Sequence, residues 1–214
     1  MSSWSPDICQ KFVFQNGQHI GDYEGLYQNC DDPWNHCKDN HHLNIDRRIC
    51  YNLLDQYIDR NSRILEYGCG LGHNVSYLHS LGLNISGLDI SQTAINRARD
   101  NYPHLDFHAA DCLDSDILFI LKPQVLYLSH VLWCILDKIA PFSELIDSYA
   151  RSSAPLYLLN SVQLYDESVD YFGKELIRGT ADIVDILPGE PVFSSTILSH
   201  SSNSLQSIVL LKIS

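Results

Sequence analysis

The stretch ILEYGCGLGHN, residues 64–74, decides the fold that we expect for this chain. It begins with a short apolar run that is typical of a buried strand, and it ends in a polar segment of helical character. Between the two lie Gly68, Gly70 and Gly72, where the missing Cβ atom lets the backbone approach a ligand closely. The stretch therefore predicts a strand, a glycine-rich turn and a helix that together form a nucleotide-type cradle.

The spacing of the glycines argues against a nicotinamide or flavin dinucleotide. The dinucleotide fingerprint places its third glycine three residues after the second, and the corresponding residue here is His73. A dehydrogenase is therefore a distant alternative, which binding of a nicotinamide nucleotide would revive.

From residue 62 onward, apolar runs alternate with helical segments, as in a parallel sheet covered by helices. We predict strands at 63–67, 84–89, 106–110, 125–129 and 156–161, and helices at 45–59, 73–80, 91–101, 131–149 and 171–187. Two β-rich runs at 191–200 and 204–214 flank Ser201-Ser202-Asn203, which predicts a hairpin with an antiparallel last strand. The fold class is therefore α/β, and the residues before 45 form a polar, irregular opening.

Two carboxylates follow the second and third predicted strands. Asp89 comes about 20 residues after the glycines, where an acidic side chain can accept hydrogen bonds from both ribose hydroxyls. Asp111, beside the backbone of Cys112, can accept one from an adenine amino group, while Ile90 or Leu113 covers the ring. The alternative is that the turn and both aspartates only cap helices.

The ordered set ILEYGCGLG, GLDIS, HAADCLD and the closing hairpin resembles the successive motifs of the class I S-adenosylmethionine-dependent methyltransferases. The resemblance implies a Rossmann-like seven-stranded sheet with an antiparallel last strand and helices on both faces. It implies one domain, in which residues 1–61 form a lid segment and helix and residues 62–214 form the core. It also implies S-adenosylmethionine as cofactor, with Glu66 and the glycine turn around its methionine part, Asp89 on the ribose, and Asp111 with Cys112 at the adenine.

The opening segment contains Asp32-Pro33-Trp34, followed by a predicted helix with Arg47 and Arg48. This arrangement resembles the start of the nodulation-type N-methyltransferases, which implies a lid over the cofactor and an arginine paired with the cofactor carboxylate. Alternatively, Trp34 only anchors the opening segment on the core. The candidate cofactor-binding residues are Glu66, Gly68, Gly70, Gly72, Asp89, Ile90, Asp111, Cys112, Ser129, Trp34 and Arg47.

The fourth predicted strand ends in LSHV, residues 128–131, and lacks the Asn/Asp-Pro-Pro-Tyr element of enzymes that methylate amines of bases or glutamine. Ligands of open α/β sheets bind beyond the carboxyl ends of the strands. The residues expected to face an acceptor are Ser129, His130, Ser161, Gln163 and Tyr165. His130 is the candidate general base, although methyl transfer from a sulfonium needs little beyond positioning, so it could instead only bind a neighbouring loop.

Cysteine and histidine usage predicts no metal centre. Cys30, His36, Cys37, His41 and His42 cluster in the opening segment, but their spacing matches none of the common zinc patterns. The seven cysteines are an odd number and fall mostly in predicted helices and strands, so we expect reduced core residues.

Net charge and the distribution of apolar residues indicate which classes of partner to expect. The formal net charge of −12 would repel a phosphate backbone, so nucleic acid is a poor substrate. No apolar run reaches the roughly 18–20 residues of a membrane span, and the start lacks the features of a signal peptide, so we expect a cytoplasmic location.

The leading hypothesis is a methyltransferase that acts on an oxygen or nitrogen of a small polar acceptor, such as a sugar or specialised metabolite. The alternatives are a protein or peptide methyltransferase and a non-catalytic cofactor-binding protein. Neither the acceptor nor the oligomeric state follows from the sequence.

Overall fold

The computed structural model describes residues 11–15, 18–34, 45–152, 155–164, 177–199 and 204–214. The strands in these ranges are β1 (Phe14–Gln15), β2 (Gln18–His19), β3 (Ile64–Tyr67), β4 (Ile85–Asp89), β5 (Phe107–Ala109), β6 (Val125–Ser129), β7 (Leu156–Leu164), β8 (Glu190–Ser199) and β9 (Ser204–Ile213). The α-helices are α1 (Tyr23–Asn29), α2 (Ile45–Tyr57), α3 (His73–Ser80), α4 (Gln92–Asn101), α5 (Ser115–Leu121), α6 (Ile139–Ser152) and α7 (Thr180–Ile186). A 3-10 helix spans Leu132–Lys138.

Within the described ranges, seven strands form one mixed sheet in the order β5-β4-β3-β6-β7-β9-β8. Strands β3 to β7 are parallel, whereas β9 pairs antiparallel with both β7 and β8. The predicted antiparallel last strand is therefore confirmed. Because the first five strands of this sheet run the same way, their carboxyl ends meet at one edge, and the candidate site residues follow those ends.

The core has two layers, one on each face of the sheet. Alternate residues of a strand point to opposite faces. Leu126 and Leu128 of β6 accordingly pack with α5, α6 and α7, while Val125 and Tyr127 pack with α2, α3 and α4. Both faces are thus covered by helices, which explains why β3 and β6 are almost wholly apolar and buried.

The predicted helix at 131–149 was wrong in its first half. Residues Leu132–Lys138 form a 3-10 helix, and a separate α-helix begins at Ile139. The reason is Pro141, which lacks an N–H and whose ring would clash with the carbonyl four residues earlier in a continuous α-helix. At its present place in the first turn of α6, the proline is tolerated.

Other departures lie in the opening and in the short elements. The opening segment contains the β1–β2 hairpin and α1, none of which was predicted, and α5 was missed as well. Part of the predicted helix at 171–187 falls within the described ranges, where α7 occupies Thr180–Ile186. The predicted turn at 201–203 lies outside the described ranges. So do five residues named in the sequence analysis: His36, Cys37, His41, His42 and Tyr165.

Three of the five described cysteines fit the expectation of small core residues, whereas Cys112 and Cys134 are partly exposed. Cys30, Cys50 and Cys69 are buried, and burial raises the pKa of the Cys50 thiol to about 12. None of the helices that the structure describes has the length and apolar character required to cross a bilayer.

Candidate active site

A cleft opens at the carboxyl ends of β3 and β6, between the glycine turn, α2 and the opening segment. It brings together six of the predicted site residues: Glu66, Gly68, Gly70, Ser129, Trp34 and Arg47. The other lining residues are Tyr27, Asp32, Cys69, Leu71, His73 and Asn74. Tyr27 and Asn74 were missed because neither residue type signals a site without its tertiary neighbours.

Glu66 is a buried carboxyl group at the end of β3, with only 2% of its surface exposed. Its Oε1 accepts a hydrogen bond from Asn74 Nδ2 at 2.7 Å, while Oε2 has no partner among the described residues. Burial raises the pKa of Glu66 to about 7, against the opposing effects of the Asn74 bond and the Arg47 charge. A buried oxygen without a partner is costly, so the geometry fits a ligand that brings a hydrogen-bond donor.

Each glycine of the turn has a specific neighbour that excludes a side chain. A Cβ at Gly68 would lie 2.4 Å from Val131 Cγ2, and one at Gly70 would lie 2.5 Å from the Tyr27 hydroxyl oxygen. A Cβ at Gly72 would instead meet Phe107 Cζ at 2.6 Å, inside the core. Gly68 and Gly70 therefore shape the cleft, whereas Gly72 lets α3 pack closely on the sheet.

Asp89 lies behind the glycine turn rather than in the cleft lining. Its Oδ2 accepts from the Gly70 N–H at 2.8 Å, and its Oδ1 accepts from the Ser91 N–H at 2.9 Å. Burial raises the pKa of Asp89, although these two backbone bonds oppose the rise. Asp89 thus holds the turn against the end of β4, and the neighbouring Ile90 is 48% exposed.

Asp111 forms an ion pair that the sequence did not predict. Its Oδ2 lies 2.8 Å from Lys138 Nζ, and its Oδ1 accepts from the Leu113 N–H at 2.9 Å. The thiol of Cys112 also donates to this carboxylate, at 3.4 Å. Although burial acts in the opposite direction, the bond from Lys138 holds the pKa of Asp111 below its usual value.

His130 is paired with a carboxylate from another part of the chain. Its Nε2 lies 2.9 Å from Asp46 Oδ2, and its backbone N–H donates to Ser161 O at 2.7 Å. The side chain of Asp46 is 5% exposed and that of His130 is 33% exposed. The contact joins the start of α2 to the end of β6, and its 84-residue separation explains why local patterns did not reveal Asp46.

The opening segment is fixed to the rest of the domain through α1. The Glu24 carboxylate accepts bonds from the Thr93 hydroxyl at 2.6 Å, the Ser91 hydroxyl at 2.7 Å and the Thr93 N–H at 3.1 Å. These bonds, that from Thr93 Oγ1 foremost, lower the pKa of Glu24 to about 2. Beyond α1, Arg97 donates to Cys30 O at 2.8 Å.

Trp34 contacts both the core and the cleft. Its Nε1 donates to the Tyr27 hydroxyl at 3.1 Å, and its ring packs against Tyr27, Leu71 and Ala94. The same side chain lines the cleft. Trp34 therefore anchors the opening segment on the core and also forms part of the cleft wall.

Comparisons with known proteins identify the matched region. Residues 64–136 match the family model described as a methyltransferase domain. "Putative methyltransferase 235L" of Invertebrate iridescent virus 6 is 30% identical over 114 residues. That alignment covers 52% of this chain and 42% of the viral protein, so it spans less than half of that relative.

Two solved structures share the fold. The N-methyltransferase NodS from Bradyrhizobium japonicum WM9, in complex with S-adenosyl-L-homocysteine, is 18% identical with a TM-score of 0.62, over 86% of this chain and 93% of NodS. The magnesium protoporphyrin IX methyltransferase ChlM from Synechocystis PCC 6803, with S-adenosylmethionine bound, is 15% identical with a TM-score of 0.56, over 97% and 90%. Residues 64–136 are therefore similar to a methyltransferase domain, and the seven-stranded sheet that carries them has the fold of these two methyltransferases.

Proposed function

We propose that this protein binds S-adenosylmethionine in the cleft and transfers the methyl group to an oxygen or nitrogen of a small polar acceptor, such as a sugar or specialised metabolite. The observation that carries the proposal is Glu66, whose buried Oε2 lacks a donor among the described residues, at the point where the glycine turn begins. An α-ammonium group would supply that donor together with a compensating charge. The family match over residues 64–136 supports the same cofactor.

The methionine part of the cofactor would be held by groups of opposite charge. Glu66 accepts from the ammonium group, and the buried guanidinium of Arg47, which also lines the cleft, binds the carboxylate. Because Gly68 and Gly70 have no side chain, the ligand can lie directly against the backbone of the turn. Ser129, at the end of the neighbouring strand β6, also lines the cleft.

The nucleoside part would extend toward the ends of β4 and β5. Each carboxylate oxygen of Asp89 already accepts one backbone bond, and a second lone pair remains on each for the ribose hydroxyls. Ile90 offers an exposed apolar surface beside it, and Asp111 with Cys112 would contact the adenine while Asp111 keeps its pairing with Lys138. When bound, the cofactor supplies a methyl group made electrophilic by a sulfonium sulfur.

The chain itself contributes positioning and exclusion of water. Tyr27 and Trp34 belong to the opening segment and line the cleft, and Glu24 holds that segment in place. His130, beside Ser129, is the candidate catalytic residue on the acceptor side. Methyl transfer requires chiefly an aligned and desolvated acceptor, which such a closed cleft favours.

The acidic charge of the chain supports a neutral or cationic acceptor. A field of this sign disfavours phosphate-rich polymers, and it would also attract a basic peptide, which is the alternative substrate class. Tyr27 and Trp34 line the cleft and narrow it, which favours the small acceptor over the peptide.

The experiment has two stages. Calorimetric titration with S-adenosylhomocysteine, with NAD as control, should give saturable binding of the former alone. Methyl-labelled S-adenosylmethionine is then incubated with a cell extract divided by a small-pore membrane. Label in the small-molecule fraction supports the proposal, and label in the protein fraction favours the peptide alternative. Binding without transfer to either fraction would indicate a non-catalytic cofactor-binding protein.

A further inference from the structure

The pair formed by Asp46 and His130 is a feature that the match to a methyltransferase domain leaves unexplained. Neither residue is in the cleft lining, but each is next in sequence to a residue that is, Arg47 and Ser129 respectively. We infer that the methyl acceptor is a hydroxyl group, which His130 deprotonates while Asp46 holds the imidazole ring in position. The inference rests on the proposed function and restricts the acceptor atom from an oxygen or nitrogen to a hydroxyl oxygen.

The hydrogen bond fixes which ring nitrogen is available. An ionised carboxylate can only accept, so Nε2 of His130 carries the hydrogen in the 2.9 Å contact with Asp46 Oδ2. In the neutral ring, Nδ1 then holds the lone pair. Burial tends to raise the pKa of Asp46, but the hydrogen bond and charge of His130, with the charge of Arg47, hold it below its ordinary value. Asp46 is therefore a stable acceptor that orients the base.

The backbone of His130 is also constrained. Its φ of 59° lies in the left-handed region, which few residues other than glycine adopt. The bond from its N–H to Ser161 O, at 2.7 Å, holds this conformation at the end of β6. Strained residues that surrounding contacts maintain occur often at functional sites. Backbone and side chain are thus fixed independently, by β7 and α2.

A positioned base is needed more by a hydroxyl than by a neutral amine. A neutral amine already presents a lone pair and can lose its proton after the methyl group has arrived, whereas an alcohol becomes a good nucleophile only as its proton leaves. In the transfer, the sulfur–carbon bond breaks with its electron pair remaining on sulfur, and the oxygen–carbon bond forms. The hydroxyl proton passes to Nδ1 of His130, whose partly exposed ring then releases it to solvent.

The first test uses the wild-type chain. The protein is incubated with S-adenosylmethionine that carries carbon-13 in its methyl group, and the small-molecule fraction of an extract supplies the acceptor. Carbon NMR then distinguishes O-methyl from N-methyl products. An O-methyl product supports the inference. An N-methyl product would overturn it and leave the proposed function intact, whereas no transfer at all would contradict the proposed function and the inference together.

The second test uses matched variants. In His130→Asn, asparagine tolerates a positive φ, and we expect kcat to fall roughly 10²- to 10⁴-fold with KM and S-adenosylhomocysteine affinity nearly unchanged. In Asp46→Asn, we expect a smaller loss of kcat, on the order of 10-fold, because the ring is less well held. His104→Asn, at an exposed histidine outside the cleft, should behave as wild type. Unchanged kcat in His130→Asn would overturn the inference.

A readout without turnover tests the positioning role of Asp46. Nitrogen-15 NMR of the histidine rings in mildly alkaline buffer should show His130 as the Nε2–H tautomer, with its signal assigned by its loss in His130→Asn. In Asp46→Asn, whose amide can donate as well as accept, this preference should weaken. A wild-type ring with the hydrogen on Nδ1 would contradict the assigned role of Asp46 even if activity were retained.

Discussion

At the scale of single residues, Glu66 has the most direct consequence for ligand binding. Its pKa of about 7 means that the carboxyl group is largely protonated below that pH while no ligand is present. In the unfolded chain the pKa of this group would be the ordinary glutamate value of 4.5, so it stabilises the fold at low pH and does so less as the pH rises from 4.5 to about 7. A cationic ligand reverses the preference by favouring the carboxylate.

We predict that S-adenosylhomocysteine binds more tightly as the pH rises toward about 7, and that binding below this pH releases a proton from Glu66. Calorimetry in buffers of different ionisation enthalpy measures that proton directly. Glu66→Gln, which cannot ionise, should bind more weakly and lose this part of the pH dependence. Proton release that persists unchanged in Glu66→Gln would mean that another group, such as Asp89, is responsible.

We predict that Asp89→Ala weakens S-adenosylhomocysteine binding and lowers the free energy of unfolding by about 1–3 kcal/mol, because it leaves two buried N–H groups without an acceptor. These are the N–H groups of Gly70 and Ser91. Titration calorimetry well below the melting temperature separates the loss of affinity from the loss of stability. Asp106→Ala, at an exposed aspartate, is the control. Unchanged affinity would remove Asp89 from the cofactor site.

At the scale of elements, the Glu24 carboxylate is one of the groups that attach α1 to α4. Glu24 accepts bonds at the N-terminus of α4, where unpaired N–H groups and the helix dipole favour a negative charge. Because the pKa of Glu24 in the fold, about 2, lies below the ordinary glutamate value of 4.5, this stabilisation is present above about pH 4.5 and is lost as the pH falls toward 2.

We predict that Glu24→Gln increases hydrogen exchange in Tyr23–Asn29 and raises the dissociation rate of S-adenosylhomocysteine, since the neutral amide interacts more weakly with the helix end. Exchange measured by mass spectrometry locates the change. Glu144→Gln, at an exposed glutamate of α6, should leave the exchange of α1 as it is. Equal hydrogen exchange of α1 in both variants would show that Arg97 and the apolar contacts of Tyr27 are enough to hold α1 in place.

We predict that Gly70→Ala destabilises the fold more than Gly82→Ala does. Both glycines have a positive φ, but an added Cβ lies 2.5 Å from the Tyr27 hydroxyl oxygen at Gly70 and no closer than 3.7 Å to Arg60 at Gly82. The difference between the two therefore isolates the clash with α1. Adding Tyr27→Phe to Gly70→Ala should restore part of the stability, and a double-mutant cycle by thermal unfolding measures the coupling.

The sequence predicted those elements that local chemistry determines. Strands β3, β4 and β6 lie within about one residue of their predicted ranges, since short apolar runs that end at a glycine turn or a polar residue are distinctive. The helix α5 was missed because seven residues give too short a periodicity, and α1 because tertiary contacts such as Glu24 with Thr93 stabilise it. Asp46 was missed for the same reason, as its partner lies on a distant strand.

At the scale of the whole molecule, we predict one cooperative unfolding transition, because Tyr27 and α2 pack directly on the core that follows them. S-adenosylhomocysteine at about 100 times its dissociation constant should add roughly 2.7 kcal/mol. For a chain of this size that corresponds to an upward shift of about 5–11 °C in the melting temperature. Scanning calorimetry tests both statements, and two separate transitions would show that residues 1–61 form an independent unit.

The position of β9 also has a consequence for the order in which the fold can be completed. This strand is synthesised after β7 and β8 but lies between them, and its residues Ile208 to Leu211 are fully buried. Until β9 has left the ribosome, β7 has an unpaired edge and β8 has no neighbour in the sheet. The nascent chain therefore exposes a pairing surface that invites aggregation, and chaperones that shield strand edges should associate with it until synthesis is complete.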